Sequence, residues 1–95
     1  MSKPKQYPSQ EELLELFFYD SDTGKLFWKA GGGKIKAGAE ACSRYKDGYL
    51  RVTIRRTAYM VHRIVWIILH GEIPKGKLID HVDGNRENNK PDNLR

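Results

Sequence analysis

Apolar and polar positions along this chain repeat with different periods in successive stretches. After a polar opening that contains Pro4 and Pro8, Ser9 followed by Glu12 has the form of a capping box. Leu13, Leu14, Leu16, Phe17 and Phe18 then fall at helical spacing, which predicts an amphipathic packing helix over about residues 9–19. Asp22-Thr23-Gly24 is a turn signal, and Lys25 to Lys29 has the size and aromatic content of a short strand. Ala30 to Lys36 carries three consecutive glycines with Lys34 and Lys36, and reads as a flexible basic hairpin loop. It lacks the helix and the Lys-Ser/Thr ending of a phosphate-cradling loop.

From Tyr49 to Arg55 the period changes to two. Tyr49, Arg51, Thr53 and Arg55 share one face and Leu50, Val52 and Ile54 the other, so one side packs and the other is polar and basic. Arg55-Arg56-Thr57 reads as a turn, with Ala58 to Val61 returning as a partner strand. His62 to Gly71 is apolar on every face between polar ends. It is assigned to a helix that closes the apolar side of the sheet and stops at Gly71, ahead of Pro74. His62 and His70, at its ends, are expected to cap or bond locally. Lys77 to His81 reads as a short strand, Asp83-Gly84-Asn85 as a turn, and Asn93-Leu94-Arg95 as the start of an antiparallel partner. The chain thus divides into a flexible leader over residues 1–8, a helix, small sheet and core helix over 9–75, and a loop-rich unit over 76–95. The fold class expected is α+β.

Ninety-five residues suit one domain with a modest core. Seventeen Lys and Arg against twelve Asp and Glu leave a net charge of +5, which favours a polyanionic partner. Arg44, Arg51, Arg55 and Arg56, with Lys34 and Lys36, are the candidate phosphate contacts, against the bland reading that strand arginines are simply solvated. The single Cys42 excludes an internal disulfide framework and a four-Cys zinc site, and points to a reducing cytoplasmic setting with packing as its role. Histidines at 62, 70 and 81 lack the spacing of a structural zinc site. The longest purely apolar run, Ile64 to Leu69, is far shorter than the roughly 20 residues a membrane span needs, so no membrane partner is expected.

The tail holds the chemistry. Phosphodiester hydrolysis needs a deprotonated water, a group that neutralises charge at the phosphate, and help for the departing 3′ oxygen. An imidazole takes a proton near neutral pH and a carboxylate holds a hard cation, and His81 and Asp80 supply one of each. Neighbours in a regular strand point to opposite faces, so both reach one phosphate only where the backbone twists. Asn93, twelve residues after His81, is placed to hydrogen-bond across to the loop backbone and hold the imidazole. Asp83, Asn85, Asn88 and Asn89 are read as loop formers.

The ordered set "YLRVTI", "AYMVHRIVWIILHGEIP" and "IDHVDGNRENNKPDNLR" resembles the phage and homing-type HNH endonucleases over residues 47–95. The "DTGKLFWK" stretch and the glycine-lysine loop resemble the small DNA-binding sheet that precedes the motif in phage proteins. The resemblance implies a ββα-metal hairpin that grips one divalent cation, Mg²⁺ or Mn²⁺. Asp80 would be the first metal ligand, His81 the general base and Asn93 the asparagine that orients it, with double-stranded DNA as substrate in the cytoplasm of a bacterial host. It also implies a last motif residue, His or Asn, on a following helix. That residue is not in the sequence, so the hairpin is expected to be an incomplete motif, from a truncated copy, a piece of a longer protein or a site completed in trans. The alternative is a DNA-binding module without catalysis.

Overall fold

The computed structural model describes residues 6–29 and 35–95. Residues 1–5 of the expected leader, and residues 30–34 of the glycine-lysine loop with Lys34, lie outside the described residues. Helix α1 spans Gln10–Leu16, with Ser9 as its N-cap: the Ser9 hydroxyl accepts from the Glu12 N–H at 3.2 Å. The capping box is closed on one side only, since the Glu12 carboxylate pairs with Arg55 at 2.6 Å.

The helix ends three residues before the expected position 19, because Phe17–Asp20 forms strand β1. Strand β1 pairs antiparallel with β2, Lys25–Trp28, in the register Phe17↔Trp28 to Asp20↔Lys25. Three consecutive aromatics suit a pleated surface better than a helix, and the pairing buries Phe17 and Leu26, each 1 % exposed. Phe18 lies on the other face, 57 % exposed. The free side of β2 is covered by residues 38–41: Ala41 N–H donates to the Leu26 carbonyl at 2.7 Å and Gly38 N–H to that of Trp28 at 2.7 Å.

A second, separate sheet orders its strands β3-β4-β5, with β3 Ser43–Arg44, β4 Leu50–Ile54 and β5 Thr57–Met60, all antiparallel. The single small sheet read from the pattern is therefore two. The period-two reading of β4 holds: Val52 and Ile54 are buried and Thr53 is exposed. Arg55 and Arg56 make the two-residue hairpin turn with φ of 49° and 66°, a left-handed pair usually given to Asn-Gly.

Helix α2, Val61–His70, packs against β4, β5 and α1, with Val61, Ile64, Val65 and Ile67 in one core with Leu13, Phe17, Leu26 and Val52. It stops at Gly71, whose φ of 86° is open to glycine and whose N–H closes on the Ile67 carbonyl at 2.8 Å. Gln10 of α1 donates to the Ile68 carbonyl at 3.1 Å, which satisfies one of the acceptors a helix end leaves free.

The tail pairs as expected in direction but less in extent. His81 and Leu94 form one antiparallel bridge, flanked by Asp80 N–H to Arg95 carbonyl at 2.8 Å, the reverse bond at 3.1 Å, and Val82 N–H to Asn93 carbonyl at 2.8 Å. Asn93 does not open a strand; it closes a 3₁₀ turn over Pro91–Asn93. Pro91 starts that turn naturally, since its fixed φ suits a first helical position and it has no N–H to leave unpaired.

The first hairpin touches the tail at Gly24, whose φ is +74°. A Cβ there would stand 2.6 Å from the Lys90 nitrogen and 2.7 Å from the Asn89 carbonyl carbon, both backbone atoms that cannot swing aside. Gly24→Ala is therefore expected to destabilise the protein by about 2 kcal/mol or more, a fall in Tm of roughly 10 °C by thermal melting. An unchanged Tm would show that this contact is not made.

Candidate nuclease site

The segment 78–82 alternates strictly. Leu78, Asp80 and Val82 are exposed, while Ile79 and His81 are buried at 9 % and 6 %. Asp80 and His81 thus follow the ordinary rule for extended neighbours, and the twist that would bring both onto one face is not present. Asp80 is nevertheless fastened to the same few atoms: its Oδ1 accepts the His81 N–H at 2.9 Å and its Oδ2 lies 3.5 Å from the Arg95 guanidinium.

Behind the bridge, His81 sits in a cluster of rings. The His62 ring centroid is 4.9 Å from that of His81, and Tyr49 is stacked on His62 at 5.3 Å. The Arg86 guanidinium lies 4.6 Å over Tyr49. His62 does not cap its helix, as a residue at that end was expected to: it is 6 % exposed and its Nδ1 has no partner among the described residues. Burial, and after it the neighbouring His81, Arg63 and Arg51, hold its pKa down at about 4, so it stays neutral. His70, at the exposed end of α2, packs on Trp66 at 4.3 Å.

The loop that follows is organised by Asp83. Its carboxylate accepts from Asn85 N–H at 2.8 Å, Asn88 Nδ2 at 2.9 Å and Asn93 Nδ2 at 2.9 Å. These bonds, with that from Asn88 foremost, lower its pKa below the usual carboxylate value. Asn93 reaches across the hairpin to the loop backbone: its Oδ1 accepts the Asp83 N–H at 3.0 Å and its Nδ2 donates to the Asn88 carbonyl at 2.7 Å. It does not bond the imidazole. The side chain that does is Asn89, 1 % exposed, whose Oδ1 is 2.8 Å from His81 Nε2. In sequence Asn89 was one of four polar loop formers, and nothing in its spacing set it apart. The signal is tertiary: it is the loop asparagine that the fold buries most completely.

The basic candidates are dispersed. Arg44 pairs with Glu87 at 2.8 Å, Arg51 is held by both carboxylate oxygens of Asp47 at 3.1 and 2.8 Å, and Arg55 pairs with Glu12. Arg51 lies on β4, whereas Arg55 belongs to the left-handed turn that follows the strand. Arg56 and Lys36 are exposed. Arg44 and Arg86 tie the β3-β4 hairpin to the tail loop, because Arg86 also donates to the Asp47 carbonyl. Cys42 is half-buried and donates to Glu40 at 2.9 Å; burial and that bond push its pKa up to about 12, so it is no nucleophile.

Among the described residues no group of three or more His, Cys, Asp and Glu converges on a point. The donor present is one exposed carboxylate. That chemistry fits Mg²⁺ or Mn²⁺, hard ions that bind through one or two carboxylates together with waters and substrate phosphates. Among the described residues no helix is long and apolar enough to cross a membrane.

Residues 59–95 match the model of a family described as HNH endonuclease. The chain is 33 % identical over 79 residues to DNA endonuclease I-HmuI of Bacillus phage SP01, an alignment covering 79 % of this chain and 42 % of that protein. It is 56 % identical over 34 residues to Protein 3.8 of Escherichia phage T7, covering 36 % and 28 %. A solved structure of DNA binding and cleavage by the HNH homing endonuclease I-HmuI superposes with a TM-score of 0.61 at 31 % identity, over 83 % of this chain and 44 % of that one. The chain therefore spans less than half the length of these relatives.

The ring cluster has a measurable signature in stability. His62 is neutral when folded, with a pKa near 4, and has an ordinary value near 6.5 when unfolded. Its contribution is complete above about pH 6.5 and is lost as pH falls towards 4, by up to about 3 kcal/mol, because only the unfolded chain takes the proton in that window. His62→Phe, which loses no hydrogen bond at Nδ1, is expected to flatten that part of the stability–pH curve measured by denaturant unfolding. A curve of unchanged slope would reject the buried neutral ring.

Proposed function

From the match of residues 59–95 to the HNH endonuclease family, we propose that this chain is a divalent-metal-dependent endonuclease hydrolysing phosphodiester bonds of double-stranded DNA. The observation that carries the reading is the bridged segment at His81 and Leu94, which presents the Asp80 carboxylate to solvent while a buried amide holds the neighbouring imidazole.

In this reading His81 is the general base. It takes a proton from the attacking water as the water oxygen bonds to phosphorus; the bond from phosphorus to the 3′ oxygen breaks, and that oxygen leaves with a proton from solvent. Asp80 is the protein ligand for Mg²⁺ or Mn²⁺, which when bound supplies Lewis-acid stabilisation of charge on the phosphate and the departing oxygen. Arg95, 3.5 Å from Asp80, competes for the same carboxylate and has to turn outward when a cation binds there. Asn93 acts one step back, by fixing the loop backbone beside Asn89.

Arg44, Arg55, Arg56 and Lys36 are proposed as phosphate contacts, with Lys34 added on sequence alone. Ion pairs on an exposed surface contribute about 0.2–1 kcal/mol, so a DNA phosphate displaces Glu87 from Arg44, or Glu12 from Arg55, at small cost. Arg51 is the weakest of the set, since it is half-buried and doubly bonded to Asp47. The phage relatives support action in the cytoplasm of a bacterial host.

Nicking of supercoiled plasmid with Mg²⁺ or Mn²⁺ tests the proposal. His81→Ala is expected to lower the rate by about 10²–10⁴-fold with DNA affinity retained; nicking that survives this substitution rejects the assignment of the base. A second reading, a DNA-binding module without catalysis, draws on the single carboxylate at the site. It predicts no nicking and duplex binding that weakens steeply with salt and ignores chelators. Binding abolished by EDTA rules that reading out.

A further inference from the structure

Residues 76–95 look self-contained in sequence, yet the side chain that holds His81 is itself held from the far end of the chain. The backbone carbonyl of Asn89 accepts a hydrogen bond from the Tyr19 hydroxyl at 2.5 Å, across 70 residues. Tyr19 lies on β1, and the turn after β1 brings Gly24 against the same peptide, within 2.7 Å of the Asn89 carbonyl carbon for any added Cβ. Asn89 is therefore clamped on its main chain by the first hairpin, while its side chain meets Nε2 of the buried imidazole.

Building on the proposed role of His81 as base, we propose that the β1-β2 hairpin is a positioning device for that base, acting through Tyr19, Asn89 and His81 in series. Asn89 presents its amide oxygen to Nε2, so Nε2 carries the ring proton and Nδ1 is the nitrogen left with a lone pair for the attacking water. Asn89 Nδ2 has no partner among the described atoms. Nothing on its amide side therefore fixes the side chain independently, and the main-chain clamp carries the orientation. Burial pushes the Tyr19 phenol up to about 12, which keeps it protonated as the donor at any working pH. The hairpin is thus part of the catalytic apparatus without touching substrate, and Asn89 is a positioning residue that sequence spacing assigned to loop formation.

The test is the tautomer of His81, read from imidazole ¹⁵N shifts of the whole chain at pH 8 and assigned by loss of the signal in His81→Ala. The wild type is expected to show the Nε2–H form alone. Tyr19→Phe, which removes one hydroxyl and keeps the ring, is expected to give a mixture of tautomers and a nicking rate reduced by about 10-fold or more, with DNA affinity changed less than twofold. Asn89→Ala is expected to go further in the same direction; if it does not fold, Tyr19→Phe decides. A bare Nε2 in the wild type overturns the proposal, and so does a folded Tyr19→Phe with unchanged tautomer and rate. Full activity in His81→Ala sinks instead the assignment of the base, and the tautomer readout still decides whether the hairpin orients this ring.

Discussion

An imidazole taken almost wholly out of water must find partners for its ring nitrogens, and most of what is specific about this molecule follows from meeting that need at His81. The ring is 6 % exposed, and its Nε2 finds the Asn89 amide. Leaving a buried polar atom unmatched costs about 1–3 kcal/mol, so a loop that failed to deliver Asn89 would be penalised directly. The Asp83 carboxylate gathers that loop, Asn93 bolts it to the returning backbone, and Tyr19 and Gly24 press on it from the first hairpin. The order of these dependencies runs from a single hydrogen bond outwards to the first hairpin, 70 residues away in the chain.

The same geometry separates the two groups to which the proposed hydrolysis assigns roles. Asp80 faces solvent and His81 faces the core because they are neighbours on extended backbone. An exposed carboxylate suits a metal that brings its own waters, and an imidazole held at Nε2 by Asn89 suits a base that has to be aimed. The neutral His62 ring fits this division: packed against His81 and too buried to charge, it adds bulk without a competing positive charge.

The basic surface is less concentrated than a net charge of +5 suggests. Arg44, Arg51 and Arg55 each meet a carboxylate, and at the exposed Arg44 and Arg55 such pairs are easily exchanged for phosphates. Two of the contacts, Arg44 with Glu87 and Arg86 with the Asp47 carbonyl, lock the β3-β4 hairpin to the loop bearing Asn89. Any DNA contact made by that hairpin is thereby kept in fixed register with the proposed site.

Local pattern determined a good deal by itself. The period-two run of β4, the apolar run of α2 ending at Gly71, the Ser9 cap and the turn at Asp83-Gly84-Asn85 each rest on neighbours in sequence and are found where the pattern puts them. The three ordered segments that end in the Asp80-His81 tail also carried the resemblance to the HNH endonucleases, whose family model matches residues 59–95. Other features rest on contacts between distant residues, and those the pattern did not contain. Helix α1 stops at Leu16 because Phe17 to Tyr19 have a partner strand to pair with, which no helical periodicity in that stretch can reveal. Asn89, and not Asn93, meets the imidazole because burial selects one amide among several alike, and Tyr19 and Gly24 reach Asn89 from elsewhere in the chain. Spacing along a chain encodes what a residue is able to do; which of several able residues does it is set by which one the packing removes from water.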